Sequence, residues 1–367
     1  MQTDLEMSND SDDESLSTDN VPPSSDELPP VEPPSAAFIL QLFVVPAIIV
    51  LAVVCVWALF GKIAAGEQDW RKQLAELRSG NVHRRWRGAN ALAQMLQMDQ
   101  RRGDDGEHLA ENREIAQELA TLLEDGLKKG SPNDDDLKQQ AFLALSLSML
   151  DVHDLTMPVL QEASQPRYDR EIRKNAIESI LLVVHRARKT GRPLTDDDLV
   201  EDLIDVSRDG DPLFRQLGAY ALGFFPVEPA RQQLVVLLED GDANTCLNAA
   251  VGLARHGLTS GYPVFSSVLL ADADRSRGQP TSSERKSPAD AEASDKRFER
   301  LVALKNTLTA VDRLGVAWSP DERTELIGLL EPIAKNHAER GLRRQAEQVL
   351  VGLREPATSQ SGEPTAR

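Results

Sequence analysis

The stretch Asp211–Gly223, DPLFRQLGAYALG, reads as one complete helix and sets the pattern on which the rest of the chain is built. Asp211 is placed to accept from the orphan N–H groups of a first turn, and Pro212 takes the first helical position, where a missing N–H costs nothing. Phe214, Gly218, Ala221 and Leu222 follow at i, i+4, i+7 and i+8, which gathers them on one face. Gly218 and Ala219 leave room for a second helix to come close, and Gly223 and Pro226 end the helix.

Six further stretches echo it when aligned on the basic position held by Arg215. They are NVHRRWRGANALA (Arg85), DDDLKQQAFLALS (Lys138), DREIRKNAIESIL (Arg173), DANTCLNAAVGLA (with Cys246 in place of the base), a weak copy at Arg300, and ERGLRRQAEQVLV (Arg343). Neighbouring positions lie between 31 (Arg215 to Cys246) and 54 (Cys246 to Arg300) residues apart, as expected of an array with loop insertions. An amphipathic segment precedes each copy, for instance Pro229–Leu238 and Asp321–Ile333. The expectation is an all-α fold, an α-solenoid over residues 66–353. One hairpin cannot bury its apolar face alone, so neighbours must stack. The stretch 271–295 lacks apolar periodicity and reads as a flexible insertion, and 354–367 as a disordered tail.

On these residues the chain resembles the HEAT-repeat proteins, in particular the short HEAT-like repeats named after phycobilisome lyases. The resemblance covers about four fifths of the chain. It implies a right-handed, armadillo-like superhelix whose second helices line a concave binding surface. Some lyase-related members attach or remove bilin chromophores, but no residues of this chain single out a pocket for one.

Upstream of the repeats, Ala36–Phe60 runs 25 residues without a charge, interrupted only by Gln41 and Pro46. About 20 apolar residues suffice to cross a bilayer as a helix, so 36–60 is expected to be a transmembrane segment. An acidic rather than basic leader argues against a secretory signal peptide. Residues 1–35, rich in Ser, Asp, Glu and Pro, are expected to be a disordered acidic tail. Lys62, Arg71, Lys72, Arg78, Arg84, Arg85 and Arg87 follow the span and no base precedes it. The positive-inside rule then places the solenoid at the cytoplasmic face of the cell (inner) membrane and the N-terminus outside.

Composition narrows the function. Aromatics make up 4% of the chain and the net charge is −18, which makes nucleic acid an unsuitable partner, since phosphate binding needs a coherent basic surface. Cys55 and Cys246 do not suggest a disulfide framework or a zinc site. The six histidines show no ligand spacing, and Asp240, Asp242 and Asn244 only imitate a calcium loop, because Thr245 and Val251 replace its Gly and Glu. No nucleophile elbow, phosphate loop or Cys/His pair is present, so neither catalytic residues nor a cofactor is expected.

Other charged features have structural explanations. The acid-to-base spacing of four at Asp134/Lys138, Asp169/Arg173, Asp211/Arg215 and Glu339/Arg343 reads as a cap followed by a base bridging to the next repeat. The triplets at 134–136 and 196–198 read as helix starts, and His83–Arg87 as a solvated basic face near the bilayer headgroups. What remains is a ridge one and five residues after each base, including Trp86, Asn90, Gln139, Lys174, Glu178, Gln216, Tyr220 and Arg344. Leu143, Leu247, Val251 and Gln348 complete it. Its aromatics and bases suit a protein partner, which points to a non-enzymatic scaffold or, alternatively, a regulatory subunit of a membrane complex.

Overall fold

The computed structural model describes residues 50–56, 69–130, 133–194, 196–278 and 291–355. Two units divide the chain, residues 1–68 and 69–367. In the first, residues 50–56 are helical, and Val50, Leu51, Val53, Val54 and Val56 are each more than half exposed. Among the described residues no helix is long and apolar enough to cross a membrane. Most of the 36–60 run, the tail 1–35 and almost all of 354–367 lie outside them.

The second unit is all-helical among its described residues, and its α-helices pair into hairpins. These are α1 (Trp70–Leu77) with α2 (Val82–Arg102), α3 (Arg113–Lys128) with α4 (Asp134–Leu147), and α5 (His153–Ala163) with α6 (Arg170–Lys189). Then follow α7 (Asp197–Val206) with α8 (Pro212–Leu222), α9 (Glu228–Leu237) with α10 (Ala243–Arg255), α11 (Tyr262–Gly278) with α12 (Ala291–Leu314), and α13 (Pro320–Asn336) with α14 (Arg340–Arg354). Every second helix touches the second helix of the next hairpin, from α2 through to α14. Elements pack only on near neighbours in sequence, which is the contact pattern of a solenoid.

Local chemistry explains the boundaries. Asn81, Asn112, Asn133, Asp196 and Asp211 each accept from a backbone N–H of the first turn, and Ser319 with Glu322 forms a full capping box. The cap of α4 is Asn133, not Asp134, and Glu339 at the start of α14 makes no side-chain cap bond. Of the 271–295 stretch, 271–278 continues α11 and 291–295 opens α12, while 279–290 lies outside the described residues. Leu269, Ala273 and Ser276 keep a buried face on α11 that small residues disguise in the sequence.

Close approach is built in at two glycines. A Cβ on Gly218 would sit 2.6 Å from the Ser207 backbone N, and one on Gly223 would sit 2.7 Å from Gly252 Cα. These contacts set α7 against α8 and α8 against α10. Phe214, Leu222 and Leu253 are almost fully buried beside them, each contributing about 1.5–3 kcal/mol of apolar transfer free energy.

Candidate partner-binding face of the second helices

The second helices share one register, counted from the fourth residue after each cap. In α8, with Arg215 at that position, the buried residues three, four, six and seven further on are Gly218, Ala219, Ala221 and Leu222. The same offsets from Cys246 give the buried Ala249, Ala250, Gly252 and Leu253 of α10.

Two copies depart from the sequence alignment. Because Asn133 is the cap, the α4 position falls on Leu137 rather than Lys138, so Leu143 is a core residue, 1% exposed, and not part of an open ridge. In α12 the buried run Thr307, Leu308, Ala310 and Val311 places the position at Leu304, one turn after Arg300. A hydrogen bond agrees. Gln345 Nε2 donates to Lys305 O at 3.4 Å, as Asn248 Nδ2 donates to Gln216 O at 3.0 Å one interface earlier.

At the base positions of α6 and α8 an arginine ties down its own hairpin turn and reaches forward, whereas among the described residues Arg85 and Arg343 hold only the turn. Arg215 donates from Nη1 to Asp209 O and Gly210 O, both at 3.1 Å, and grips Asp240 of the next hairpin bidentately at 2.9 and 3.1 Å. Arg173 donates to Ser164 O and to Asp209 at 2.6 Å, with its guanidinium carbon 3.9 Å from the Phe214 ring centroid. The partner is therefore the acid before the next hairpin's cap and not the acid four residues back, which is spent on capping. Asp209 and Asp240 are both held below the usual carboxylate range. At Asp209 burial pushes the other way and is outweighed by the Arg173 hydrogen bond together with the Asp211 backbone N–H and the Arg173 charge, and at Asp240 the Arg215 hydrogen bond is the main cause. Cys246 keeps only the turn contact, Sγ to Asp240 O at 3.0 Å.

The predicted ridge residues divide by use. Trp86 packs edge-on against Phe142 of the next hairpin, with centroids 6.1 Å apart at 72°. Gln216 donates to Asp242 at 3.0 Å, and Tyr220 stacks edge-on with Phe224 at 5.2 Å. Trp86 and Gln216 thus hold neighbouring hairpins together, Tyr220 packs on the turn that follows its own helix, and Leu247 is 6% exposed. Lys174 lies 3.7 Å from Glu171 on its own helix. Gln139 and Glu178 are half-buried, while Asn90 and Arg344 are open to solvent. The His83–Arg87 stretch is partly engaged, since Arg87 binds Glu76 bidentately and Arg85 holds Ser79 O.

One pocket on this face brings three second helices together. It has a volume of about 260 Å³ and is lined by Tyr220 of α8, by Asn248 and Arg255 of α10, and by Asn306 and Arg313 of α12. Arg255 and Arg313 both stand nine residues after the base position, at Cys246 and Leu304. Both lie beyond offsets one and five, which define the predicted ridge, and in α12 the pattern starts one turn later than Arg300 implies. Arg255 lies 4.8 Å from the Tyr220 ring centroid and 4.5 Å from that of Phe224, and Nη1 reaches Tyr220 O at 3.4 Å.

No family model and no curated protein sequence matches the chain. Among solved structures it is similar to YibA of Escherichia coli, with 14% identity, 80% of this chain and 96% of that one covered, and a TM-score of 0.35. An engineered protein follows at 15% identity, 78% and 96% coverage and a TM-score of 0.31. Human deoxyhypusine hydroxylase solved with glycerol shows 17% identity, 78% and 96% coverage and a TM-score of 0.28.

Proposed function

We propose that this chain is a non-enzymatic, membrane-tethered scaffold of HEAT-like repeats that holds a protein partner along the face of its second helices. The observation that carries the reading is the α8–α10–α12 pocket. There the polar ends of Asn306 and Arg313 stand on a helix face that the stacking of neighbours leaves open. Support for the tether is the uncharged 36–60 run together with residues 50–56, where consecutive apolar side chains point outward all round a helix. Such a surface belongs in lipid or in a core. The basic residues after the run favour a cytoplasmic repeat unit.

Two experiments test this. A photo-crosslinking residue at Asn306 should capture one protein in intact cells, whereas the same group at Val236, 65% exposed on the first helix α9, should not. Equal capture from both positions would refute a dedicated face. For the tether, the full chain should stay with membranes through alkaline carbonate extraction, and deletion of 36–60 should release it. A reporter fused after Leu353 should be active only in the cytoplasm; activity outside would reverse the orientation.

A further inference from the structure

Resting on the scaffold reading, we propose that the α8–α10–α12 pocket recognises carboxylates, and that its occupant is an acidic peptide segment of the partner held by Arg255 and Arg313.

The argument begins with what Arg255 lacks. Two arginines enclosed between neighbouring hairpins, Arg173 and Arg215, have a carboxylate each, Asp209 and Asp240. Arg255 has none among the described residues. Its guanidinium leans on the Tyr220 and Phe224 rings, and its one hydrogen bond there is the long one to Tyr220 O. Burial pushes the Arg255 pKa down; Tyr220 opposes this in part, and the like charges of Arg313 and Arg188 push with burial. Arg188 is already committed, donating to Phe224 O at 2.9 Å. A half-enclosed cation without a counter-charge is costly, and an incoming anion removes that cost. That such a site persists in a chain of net charge −18 marks it as a place where acid is wanted.

Geometry specifies the anion. A guanidinium backed by rings on one face presents its in-plane N–H fork outward, the arrangement that grips a planar carboxylate with two parallel hydrogen bonds. Arg313, exposed and without an ion pair among the described residues, repeats the same register one helix later. Adjacent packed helices lie about 8–10 Å apart. A polyproline-II segment returns to the same face every three residues, after about 9.3 Å. Carboxylates three residues apart on such a segment therefore meet both arginines, with Asn306 beside them to bind the intervening backbone. A nucleic acid or a lipid surface fits poorly, because either spreads its charge over an area far wider than a pocket of about 260 Å³ that holds two arginines.

The test uses the full chain in detergent micelles and a capped, fluorescent Pro/Ala peptide with Glu at positions 3 and 6. By anisotropy this peptide should bind, and its Gln counterpart should bind at least about tenfold more weakly. Arg313→Gln, at a solvent-exposed site, and Arg255→Lys should each weaken binding by about tenfold. A second measurement does not need the peptide. Asn306→Asp supplies a carboxylate in cis, so it should raise Tm by about 2–4 °C and abolish peptide binding. Equal binding of the Glu and Gln peptides, no change in Arg313→Gln, or a lowered Tm in Asn306→Asp would overturn the proposal. So would inorganic phosphate saturating the site while the Glu peptide does not bind. Failure here with crosslinking from Asn306 intact would leave the scaffold standing. Equal capture from Asn306 and Val236 would remove the scaffold itself.

Discussion

The Arg215–Asp240 pair yields a measurable coupling, because it is bidentate and closed off from water, with side-chain exposures of 19% and 11%. Hydrogen bonds to charged groups contribute about 1.5–3 kcal/mol when shielded. Exposed ion pairs contribute about 0.2–1 kcal/mol. Arg71–Glu114 joins α1 to α3 at 3.1 Å but is 62% and 56% exposed, so it serves as the internal control. A double-mutant cycle with Arg215→Ala and Asp240→Ala, followed by urea denaturation, should give a coupling of about 1.5–3 kcal/mol. The cycle on Arg71 and Glu114 should give less than about 1 kcal/mol. Asp240→Ala also strips the acceptor from Asp242 N at 2.8 Å, and Arg215→Ala frees two turn carbonyls. Both losses appear in the single variants and cancel in the cycle. Acid should weaken the same rung. Asp240, ordinarily near 3.8, is depressed mainly by the Arg215 hydrogen bond, so its stabilisation is complete above that ordinary value and disappears as pH falls through the depressed one. Arg215→Ala should accordingly flatten the acid limb of the stability curve. A coupling no larger than that of Arg71–Glu114, or an unchanged acid limb, would refute the assignment of Arg215 as an inter-hairpin clamp.

Three further outcomes follow from the packing and the buried groups. Gly218→Val should cost about 1–3 kcal/mol in urea melts, because its Cβ would meet the Ser207 backbone at 2.6 Å, whereas Gly80→Ala, with nothing within 4 Å, should be nearly neutral; equal effects would mean that α7 and α8 do not pack at that point. Cys246 is pushed up first by burial and then by the Asp240 charge. In a Cys55→Ser background it should react slowly with a disulfide reagent at pH 7 and faster as pH rises, and rapid reaction of the folded protein at pH 7 would contradict that burial. His153 and His256 are both pushed below their ordinary value of 6.5, chiefly by burial. The unfolded chain therefore binds protons more readily, and stability should fall as pH drops from 7 to 5. Replacing both with Gln should shrink that fall, and an unchanged slope would place them in water.

Much of the solenoid was legible because its signals are local. Asp211 caps and Pro212 opens α8 where the sequence says they should, and Asp242 caps α10 in the same way. The base is a poor register mark, because the cap sets the register. Before α4, Asn133 stands beside three aspartates that can all cap, and choosing Asp134 displaced the pattern onto Lys138. In α12 the helix begins at Ala291, more than two turns before Arg300, so no cap lies near enough to fix the count. Only the buried face from Leu304 onward does so. The candidate pocket was illegible for a related reason. It exists only when α8, α10 and α12 are brought together in the correct register, and its arginines carry no motif of their own. Trp86 and Tyr220 were rightly singled out as large residues on the second helices, but local pattern cannot tell an aromatic that anchors a partner from one that meets Phe142 or Phe224.

The break in the arginine ladder and the break in the core fall on one helix. In α6 and α8 the base reaches an acid six residues before the next base position, Arg173 to Asp209 before Arg215 and Arg215 to Asp240 before Cys246. From Cys246 the corresponding place, six before Leu304, is Phe298, 67% exposed on the lengthened helix α12. A base at 246 would find no acid there, whereas a thiol still satisfies Asp240 O. The apolar core divides at the same element. Ala249 and Leu253 of α10 belong to one buried cluster, and Leu247, Ala250 and Ala254 to the other. In a structure stabilised by nearest-neighbour interfaces, a joint carried by apolar packing without an arginine clamp opens at lower cost than the same joint with one. The Arg255–Arg313 pocket lies across that joint, with one arginine on α10 and the other on α12. A dicarboxylate segment bound to both would supply from outside the ionic bridge that Cys246 and Phe298 cannot make.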